Sequence, residues 1–314
     1  MHRHPQSETT AQLTKPFLKW AGGKQRLLSQ LLPLLPAGKR LIEPFVGAGS
    51  VFLASEYDTY VINDANPDLV AVWAALQARP REFMHRAAAL FTEEHLNAEA
   101  YYGNRNAFNE QTDSFERAVL LPYLNRFGFN GLFRVNSKGM YNTPYGHPKS
   151  LPHFPWEEME SASRKLQRCL VLNGGFQAAI DLAGEGDVVY CDPPYLDDAT
   201  PSFTQYTASR FGMTQQHQLE ATCRAAAQRG ATVLVSNHDT LTSHALYAGW
   251  EVFPVTVRRS LSAKTNSRVE AKELVARMNS TRACLLQGTQ VPRVQASGFQ
   301  CLAANAKPAA PTHL

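Results

Sequence analysis

The feature that most constrains the fold is a strand pattern that runs into a glycine-rich loop, KRLIEPFVGAGSVFLAS at residues 39–55. Residues 40–42 predict a β-strand, the glycines of FVGAGS predict a loop, and the residues after the loop predict a helix. A second strand pattern, YVINDANPDLV, ends at an acidic residue, Asp64. Strands that alternate with helices in this way predict an α/β sheet.

The middle of the chain changes character after residue 66. Stretches such as DLVAVWAALQA and FERAVLLPYL favour helices, and LNRFGFNGLFRVNSKGMYNTPYGHPK carries Asn-Gly and Lys-Gly turn signals that predict a hairpin. Strand patterns resume at GDVVYCDPPY, ATVLVSNHD and WEVFPVTVRR. We therefore expect an α/β domain split between residues 15–66 and 155–287, an inserted lobe at 67–154, and loose ends at 1–14 and 288–314.

Composition and charge disfavour several classes of protein. The chain has 314 residues, 44% of them hydrophobic, and a formal net charge of +4, which allows a polyanionic partner without requiring one. Its five cysteines have no CxxC spacing and its ten histidines form no ligand pattern. No apolar run approaches the ~20 residues of a membrane span. We expect a cytoplasmic protein without a bound metal or a membrane segment.

The loop FVGAGS and the acid after the next strand allow two interpretations. Gly47 and Gly49 let a ligand approach the backbone closely, and Asp64 is placed to accept hydrogen bonds from a ribose. The dinucleotide fingerprint GxGxxG lacks its third glycine here, which disfavours a nicotinamide cofactor. The alternative is structural: the loop packs a helix on a strand, and Asp64 caps a helix.

A second glycine turn lies near the start of the chain, in PFLKWAGGKQRLL. Gln25 follows Lys24, and the upstream glycine of a phosphate-binding GxxxxGK[ST] loop is missing, so hydrolysis of a nucleoside triphosphate is not expected. The paired glycines beside Trp20 and Lys24 form either a simple turn with a solvated lysine or a site that holds an adenosine and a carboxylate.

The strand pattern VVYCDPPYL ends in an acid, two prolines and a tyrosine. The amino group of a nucleobase is a poor nucleophile because its lone pair is delocalised into the ring. Asp192 and the carbonyl of Pro193 could both accept hydrogen bonds from such an amine, which favours the pyramidal nitrogen that attacks a methyl donor. Tyr195 can stack on a base that has left its duplex. The alternative is a turn in which Asp192 caps and Tyr195 packs.

The chain resembles the DNA adenine methylases of the Dam family over roughly residues 16–278. The resemblance rests on PFLKWAGGK, IEPFVGAGSVFL, NDAN, LNRFGFNGLFR, VVYCDPPY, VSNHDT and VRRSLS, in this order. It implies a Rossmann-like, seven-stranded S-adenosyl-L-methionine-dependent methyltransferase sheet with an inserted helical and hairpin DNA-recognition lobe. It also implies transfer of a methyl group from S-adenosyl-L-methionine to the N6 amino group of adenine in duplex DNA, by base flipping and direct in-line transfer.

The resemblance assigns roles to individual residues of these motifs. The implied cofactor-binding residues are Trp20, Lys24, Phe45, Gly47, Gly49, Asp64, Phe176 and Asp192. The implied catalytic residues are Asp192, Pro193 and Tyr195. The implied DNA-binding residues are Lys19, Arg126, Phe129, Asn130, Leu132, Arg134 and His147.

The DNA-binding residues fall into three groups. Phe129 and Asn130 match positions that enter the duplex beside the target adenine. Lys19, Leu132 and Arg134 match positions that read base edges, and an arginine suits guanine because it offers two parallel hydrogen bonds. Four cations are expected to contact phosphates or to be solvated. They are Arg126, Lys138, Arg258 and Arg259.

Two places depart from the family pattern. Phe127 and Phe129 stand where tyrosines are common, which keeps stacking and loses hydroxyl groups. His147 and Pro148 stand where the pattern has an arginine followed by an aromatic residue, which help to read an outer base pair. A neutral histidine lacks the guanidinium fork, even if Lys149 partly substitutes. We expect GATC as the target, with relaxed discrimination at the outer base pair.

The expected partner is double-stranded DNA, the expected cofactor is S-adenosyl-L-methionine, and the expected state in solution is a monomer. Two other functions stay open at this point. One is a methyltransferase that acts on RNA or on protein glutamine through a related motif, which the aromatic and basic lobe disfavours. The other is a DNA-binding regulator with weak or lost methylation activity, which the presence of all cofactor and amino-group residues disfavours.

Overall fold

The computed structural model describes residues 14–195, 211–258 and 270–281 of the chain. Within these residues, seven β-strands form one sheet in the order β3-β2-β1-β4-β5-β7-β6. The strands are β1 (Arg40–Glu43), β2 (Thr59–Asp64), β3 (Cys169–Asn173), β4 (Asp187–Cys191), β5 (Thr232–His238), β6 (Glu251–Arg258) and β7 (Glu270–Met278). β1 to β5 pair in parallel, and β7 is antiparallel to both β5 and β6. This sheet confirms the predicted Rossmann-like α/β class.

Ten α-helices lie within the same described ranges. They are α1 (Leu28–Leu31), α2 (Ser50–Ala54), α3 (Pro67–Ala78), α4 (Pro80–Ala88), α5 (Ala98–Glu110), α6 (Ser114–Phe127), α7 (Trp156–Leu166), α8 (Phe176–Ile180), α9 (Met213–Gln228) and α10 (Leu241–Leu246). None of these ten is long and apolar enough to cross a membrane.

Strand side chains alternate between the two faces of the sheet, as the two-residue period of a strand requires. On one face, Leu41, Tyr60 and Tyr190 join a core cluster with helices α2 to α7. On the opposite face, Ile42 and Val189 pack with α8, α9 and α10. Because both faces of the inner parallel strands β1, β2, β4 and β5 are largely buried, their sequences are rich in apolar residues.

The inserted lobe lies between β2 and β3 in the sequence. Its predicted helical character is confirmed by α3 to α6. The core cluster that contains Tyr60 of the sheet continues through Trp73 of α3 to Leu121 of α6, so the lobe packs directly on the sheet. The bounds 67–154 of the lobe stay a prediction. Apart from Thr14, the predicted loose ends lie outside the described residues.

Capping residues explain where the longer lobe helices begin. Asn66 Oδ1 accepts the backbone N–H groups of Asp68 and Leu69 at 3.0 and 3.3 Å, and Pro67 takes the first helical position of α3. Asp113 caps α6 in the same way. These side chains satisfy N–H groups that have no partner inside a helix. The cap thereby fixes the start of α3 at Pro67, three residues after Asp64.

The predicted hairpin of the lobe takes an irregular form. We call residues 128–149 the lobe loop. Two isolated antiparallel bridges join its arms, Gly128↔Tyr145 and Val135↔Tyr141. The side chain of Asn109 accepts from the Tyr141 N–H at 2.8 Å and donates to the Tyr141 carbonyl at 3.0 Å. The bonds between the two arms at this point join the Asn136 N–H to the Met140 carbonyl and the Asn142 N–H to the Arg134 carbonyl, so Asn109 ties the outer edge of the second arm to α5.

Candidate active site

A cavity of about 720 Å³ opens at the carboxyl ends of β1, β2 and β4. In open α/β sheets this edge is the usual place for a ligand. Eight residues expected at the cofactor or catalytic site line the cavity: Trp20, Lys24, Phe45, Gly47, Asp64, Asp192, Pro193 and Tyr195. The structure therefore brings together two glycine turns and the Asp-Pro-Pro-Tyr segment, which are far apart in the sequence.

Asp64 ties the glycine loop to the end of β2. Its Oδ2 accepts the backbone N–H of Gly47 at 3.1 Å, and its Oδ1 accepts the N–H of Asn66 at 2.9 Å. Burial raises the pKa of the Asp64 carboxyl, and these backbone hydrogen bonds partly offset that rise. Each carboxylate oxygen can accept a further hydrogen bond, so the carboxylate can also serve a ligand in the cavity.

Gly47 has a φ of 51°, a left-handed conformation that favours glycine. A Cβ atom added to Gly47 would lie 3.2 Å from Cδ1 of Trp20, so the loop backbone lies close to the indole ring. The Trp73 indole N–H donates to the Gly47 carbonyl at 3.2 Å and fixes the loop from behind. One wall of the cavity is therefore bare backbone beside an aromatic plane.

Two of the predicted cofactor-binding residues do not line the cavity. Gly49 has a φ of 72° at the start of α2, and a Cβ there would come within 3.0 Å of the Trp73 ring. Phe176 stacks on Phe45 with ring centroids 5.5 Å apart. Phe211, which the motifs do not indicate, lines the cavity and packs its edge on Phe45 at 5.7 Å. Gly49 and Phe176 thus shape the cavity wall from the outside.

Asp192 is paired with a buried lysine. Lys24 Nζ lies 2.8 Å from Asp192 Oδ1, and the two side chains are 8% and 19% exposed. Lys24 also donates to the Gly22 carbonyl at 3.1 Å and lies over the Tyr195 ring, 4.6 Å from its centroid. Burial raises the pKa of Asp192, whereas Lys24 lowers it. Lys24 is therefore a buried partner of the acid and not a solvated surface charge.

A second acid, Glu43, lies beside Asp192 and was not among the predicted site residues. It ends β1, lines the cavity and is only 3% exposed. Its Oε1 has no hydrogen-bond partner among the described residues. Burial, and to a lesser extent the charge of Asp192, raises the pKa of Glu43 well above its ordinary value. Its position at the end of a strand and before a glycine loop is a sequence signal that points to the cavity.

A third acid, Glu273 of β7, also lines the cavity. Its Oε2 accepts the Tyr195 hydroxyl at 2.8 Å, and the ring of His238 packs against Tyr195 with centroids 4.8 Å apart. No motif in the sequence indicates Glu273. In the part of the chain that the structure describes, no group of three or more histidine, cysteine or acidic side chains is placed to hold a metal ion.

The structure places Lys19 against the lobe loop. Asn125 accepts the Lys19 N–H at 2.9 Å and donates to the carbonyls of Lys19 and Gly131, both at 2.8 Å. A Cβ atom on Gly131 would lie 2.5 Å from the Lys19 Cβ, so the Lys19 side chain lies directly against the backbone of residue 131 only because that residue is glycine. A buried asparagine of α6 therefore joins the N-terminal glycine turn to the lobe.

The first arm of the lobe loop, between the Gly128 and Val135 bridges, carries four of the predicted DNA-binding residues. Phe129 is 49% exposed, and Asn130 is exposed with a φ of 53°. Leu132 is half-buried beneath them, and Arg134 is exposed. The Arg134 guanidinium donates to the side-chain oxygen of Asn142 at 2.8 Å and to its carbonyl at 3.1 Å. These bonds hold one edge of the guanidinium and leave its other donors to face outward.

Two further predicted DNA-binding residues differ in their surroundings. Arg126 is half-buried, its guanidinium donates to the Phe17 carbonyl at 2.6 Å, and burial lowers its pKa. This guanidinium is therefore not a solvated charge, and it already joins α6 to the N-terminal segment. His147 is exposed, has a φ of 49° and packs edge-on against Tyr145 at 4.7 Å. Arg259 and the rest of VRRSLS after Arg258 lie outside the described residues.

Comparison with known proteins gives a family match over most of the chain. Residues 20–261 match the model of the D12 class of N6 adenine-specific DNA methyltransferases. The chain is 41% identical to a DNA adenine methylase of Escherichia coli (strain K12) over 263 residues, which are 83% of this chain and 94% of the relative. It is 39% identical to a DNA adenine methylase of Vibrio cholerae (strain O395) over 264 residues, 83% of this chain and 95% of the relative.

A third relative and one solved structure extend the comparison. A DNA adenine methylase of Haemophilus influenzae is 40% identical over 267 residues, 83% of this chain and 93% of that protein. The fold is distantly similar to an rRNA methyltransferase of Streptomyces viridochromogenes, with a TM-score of 0.31, 12% identity, and coverage of 82% of this chain and 84% of the other. That score is too low to support any inference about this chain.

Proposed function

Because the chain belongs to the D12 class of N6 adenine-specific DNA methyltransferases, we propose that it methylates the adenine of GATC in double-stranded DNA, with S-adenosyl-L-methionine as the methyl donor. One observation carries the proposal: Asp192 and Pro193 share a single cavity with the glycine loop and Asp64. A methyl donor and an amino acceptor can therefore meet in one enclosed space. The family match favours DNA over RNA or protein as the substrate.

The cavity suits S-adenosyl-L-methionine in three respects. The bare backbone at Gly47, packed against the Trp20 ring, forms a flat wall on which the adenosine can lie. Asp64 lies next to that wall and can accept ribose hydroxyl groups. The buried Glu43 Oε1, which has no partner in the described ranges, suits a cationic donor such as an ammonium group. When bound, this cofactor supplies a methyl group on a sulfonium, which is already an activated leaving group.

Asp192 and the carbonyl of Pro193 activate the adenine amino group. Each accepts a hydrogen bond from one N–H of the amino group. These bonds weaken the delocalisation of the nitrogen lone pair into the ring and stabilise the positive charge that develops during attack. Lys24 holds Asp192 in place through its Nζ at 2.8 Å. A protonated Asp192 carboxyl is a poorer acceptor for the adenine amine and for Lys24. The rate is therefore expected to fall as the pH falls through the Asp192 pKa, which burial raises.

The target adenine leaves the duplex before it reacts. In the DNA duplex its amino group is hydrogen-bonded to the opposite thymine. The Asp192 carboxylate lies in a cavity of the protein that an intact base pair does not enter. The exposed Phe129 ring and the neighbouring Asn130 in the first arm of the lobe loop are suited to fill the gap and to bond the unpaired thymine. Tyr195 then stacks on the adenine in the cavity.

Arg134 is expected to read a guanine of the target. Its guanidinium is exposed and oriented by Asn142, so Arg134→Ala should lower kcat/KM on a GATC duplex by about 100-fold, the value of one bidentate base contact. Competition between duplexes with and without the first guanine checks this. The matched control is Arg81→Ala, which removes an exposed arginine from α4 of the same lobe and should leave kcat/KM unchanged. Equal losses in both variants would contradict the assignment.

His147 is expected to weaken discrimination at an outer base pair. It is exposed on the lobe loop and lacks the fork of donors that an arginine presents. We therefore expect His147→Arg to raise the preference for GATC over a duplex with one altered outer pair by about tenfold. Paired rate measurements on the two duplexes give this ratio. An unchanged ratio would show that residue 147 does not read the outer pair.

The target sequence can be tested with plasmid DNA that carries no methylation. After incubation with the protein and S-adenosyl-L-methionine, a nuclease blocked by methylated GATC should leave the plasmid uncut. Full cutting after exposure to protein that is active on bulk DNA would rule out GATC and leave the family activity in place.

A further inference from the structure

The hydroxyl group of Tyr195 is held by an acid on a distant strand. Glu273 Oε2 accepts this hydroxyl at 2.8 Å, and the two residues are 78 positions apart in the sequence. Glu273 is only 8% exposed and lines the same cavity as Asp192. A buried carboxylate is costly unless it is bonded. The hydrogen bond from the Tyr195 hydroxyl therefore satisfies the buried Glu273 carboxylate.

The antiparallel end of the sheet brings Glu273 to this place. β7 lies between β5 and β6, and Glu273 stands opposite His238 in the pairing of β5 with β7. His238 in turn packs on Tyr195. The Asp-Pro-Pro-Tyr segment leaves β4, which is the strand next to β5. The carboxyl end of β5 and the opposing residue of β7 thus form one side of the space around Tyr195.

We propose that Glu273 is a positioning residue for methyl transfer, which holds Tyr195 by its hydroxyl and so fixes the ring on which the target adenine stacks. This inference rests on the proposed function, because it assumes that Tyr195 stacks on the adenine.

Two anchors hold the segment that carries the ring. The Pro194 carbonyl accepts a hydrogen bond from the Gln216 amide at 2.9 Å, and Gln216 is fully buried. The Tyr195 hydroxyl is held by Glu273 at the far end of the side chain. One anchor fixes the backbone and the other fixes the ring tip, so the axis of the ring is set, and the contacts of His238 and Lys24 with the ring limit its rotation about that axis. Transfer depends on the alignment of the adenine amine with the methyl group, and small misplacements slow such reactions strongly.

Glu273 also acts on Asp192 through its charge. The ionisable groups that line the cavity together with Asp192 are Lys24, Arg26, Glu43, Asp64, Tyr190, Tyr195, His238 and Glu273. Of these, Glu273 is a negative group that raises the pKa of Asp192, whereas Lys24 lowers it. Removing the charge of Glu273 should therefore lower the Asp192 pKa and shift the acidic limb of the pH–rate profile to lower pH.

Three variants separate the anchor from the charge. Glu273→Met removes the acceptor, Tyr195→Phe removes the hydroxyl and keeps the ring, and Glu273→Gln keeps an acceptor oxygen and removes the charge. We expect Glu273→Met and Tyr195→Phe each to lower kcat about tenfold, with the KM for the cofactor unchanged. The double variant should lose no more than either single variant, because both break the same bond. Glu273→Gln should retain most of kcat and shift the acidic limb to lower pH.

The outcomes distinguish this inference from the proposed function. Methyl transfer to a GATC duplex is measured first with the unaltered protein, and its absence would overturn the proposed function itself. If that protein is active and Tyr195→Ala is inactive, but Glu273→Met and Tyr195→Phe keep full kcat, Glu273 does not position the ring. A fall in kcat of the double variant that equals the product of the two single falls would also overturn the inference. Should Glu273→Met fail to fold, Tyr195→Phe still reports the change in kcat and Glu273→Gln still reports the shift of the acidic limb.

Discussion

Replacing Asp192 with alanine is expected to abolish methyl transfer, with a fall in kcat of about 10³-fold or more. The variant loses the carboxylate that accepts the hydrogens of the adenine amine, and the carbonyl of Pro193 alone cannot draw out the lone pair. Asp192 lines the same cavity as the glycine loop, and removing its side chain leaves Asp64 and Gly47 in place. Transfer of tritium from labelled S-adenosyl-L-methionine to a GATC duplex measures the loss, and cofactor affinity, to which Asp192 is also expected to contribute, is measured beside it.

The folding stability of the Asp192 variants must be controlled, because Asp192 pairs with the buried Lys24. Its side chain is only 8% exposed and pairs with Asp192, so alanine at position 192 leaves a buried lysine without its partner. Breaking a buried pair in this way costs about 3–5 kcal/mol of folding stability. Asp192→Asn keeps an oxygen acceptor for Lys24 but not the charge, so it should lose less stability than Asp192→Ala, with kcat lowered by about 100-fold. A folded Asp192→Ala or Asp192→Asn protein with near-normal kcat would contradict the mechanism.

Replacing Asp64 with alanine should weaken cofactor binding by about 100-fold, because two charge-assisted hydrogen bonds to the ribose are lost. The variant also frees the Gly47 N–H, which Asp64 Oδ2 accepts at 3.1 Å, so the glycine loop loses its tie to β2. Titration calorimetry with S-adenosyl-L-methionine measures the affinity. DNA binding should change little, since the predicted DNA-binding residues of the lobe loop lie elsewhere.

Asp58→Ala is the matched control for Asp64. It removes an exposed acid just before β2, at the opposite end of the same strand, and should leave the affinity unchanged. Asp64→Asn keeps the acceptor for Gly47 and removes the charge, so it separates the loop from the ribose. We expect its affinity to lie between those of Asp64→Ala and the unaltered protein. Unchanged affinity in Asp64→Ala would show that Asp64 only holds Asn66, the cap of α3, and ties the loop.

Local sequence patterns predict most of the sheet, because buried parallel strands are short apolar runs between turn signals. β1, β2, β4 and β5 have this form, and β6, an antiparallel edge strand, is also a short, largely apolar run. β3 does not stand out, since it is an edge strand whose Leu170 is 49% exposed. β7 mixes charged residues such as Lys272 and Arg277 with its apolar ones, so its pattern resembles that of other segments. Their places depend on pairing with strands far along the chain, which local patterns do not encode.

The same reasoning explains which parts of the cavity could be predicted. Trp20, Asp64 and Asp192 each belong to a motif whose residue types suit the expected chemistry. Glu273 belongs to no motif, and only the antiparallel pairing of β7 with β5 brings it to Tyr195. Arg126 was predicted to contact phosphate from its charge alone. The sequence does not indicate that its guanidinium donates to the Phe17 carbonyl, because this contact joins segments 109 positions apart.

The most direct test of the central claim is to map modified bases in DNA exposed to the protein and S-adenosyl-L-methionine. Single-molecule sequencing of unmethylated plasmid after this treatment gives both the modified atom and the target sequence. Our account predicts N6-methyladenine at GATC, a minor set of sites that differ at an outer base pair, and no modification with Asp192→Ala. N6-methyladenine in an unrelated sequence, or an unmodified plasmid from folded protein that binds the cofactor, would contradict it.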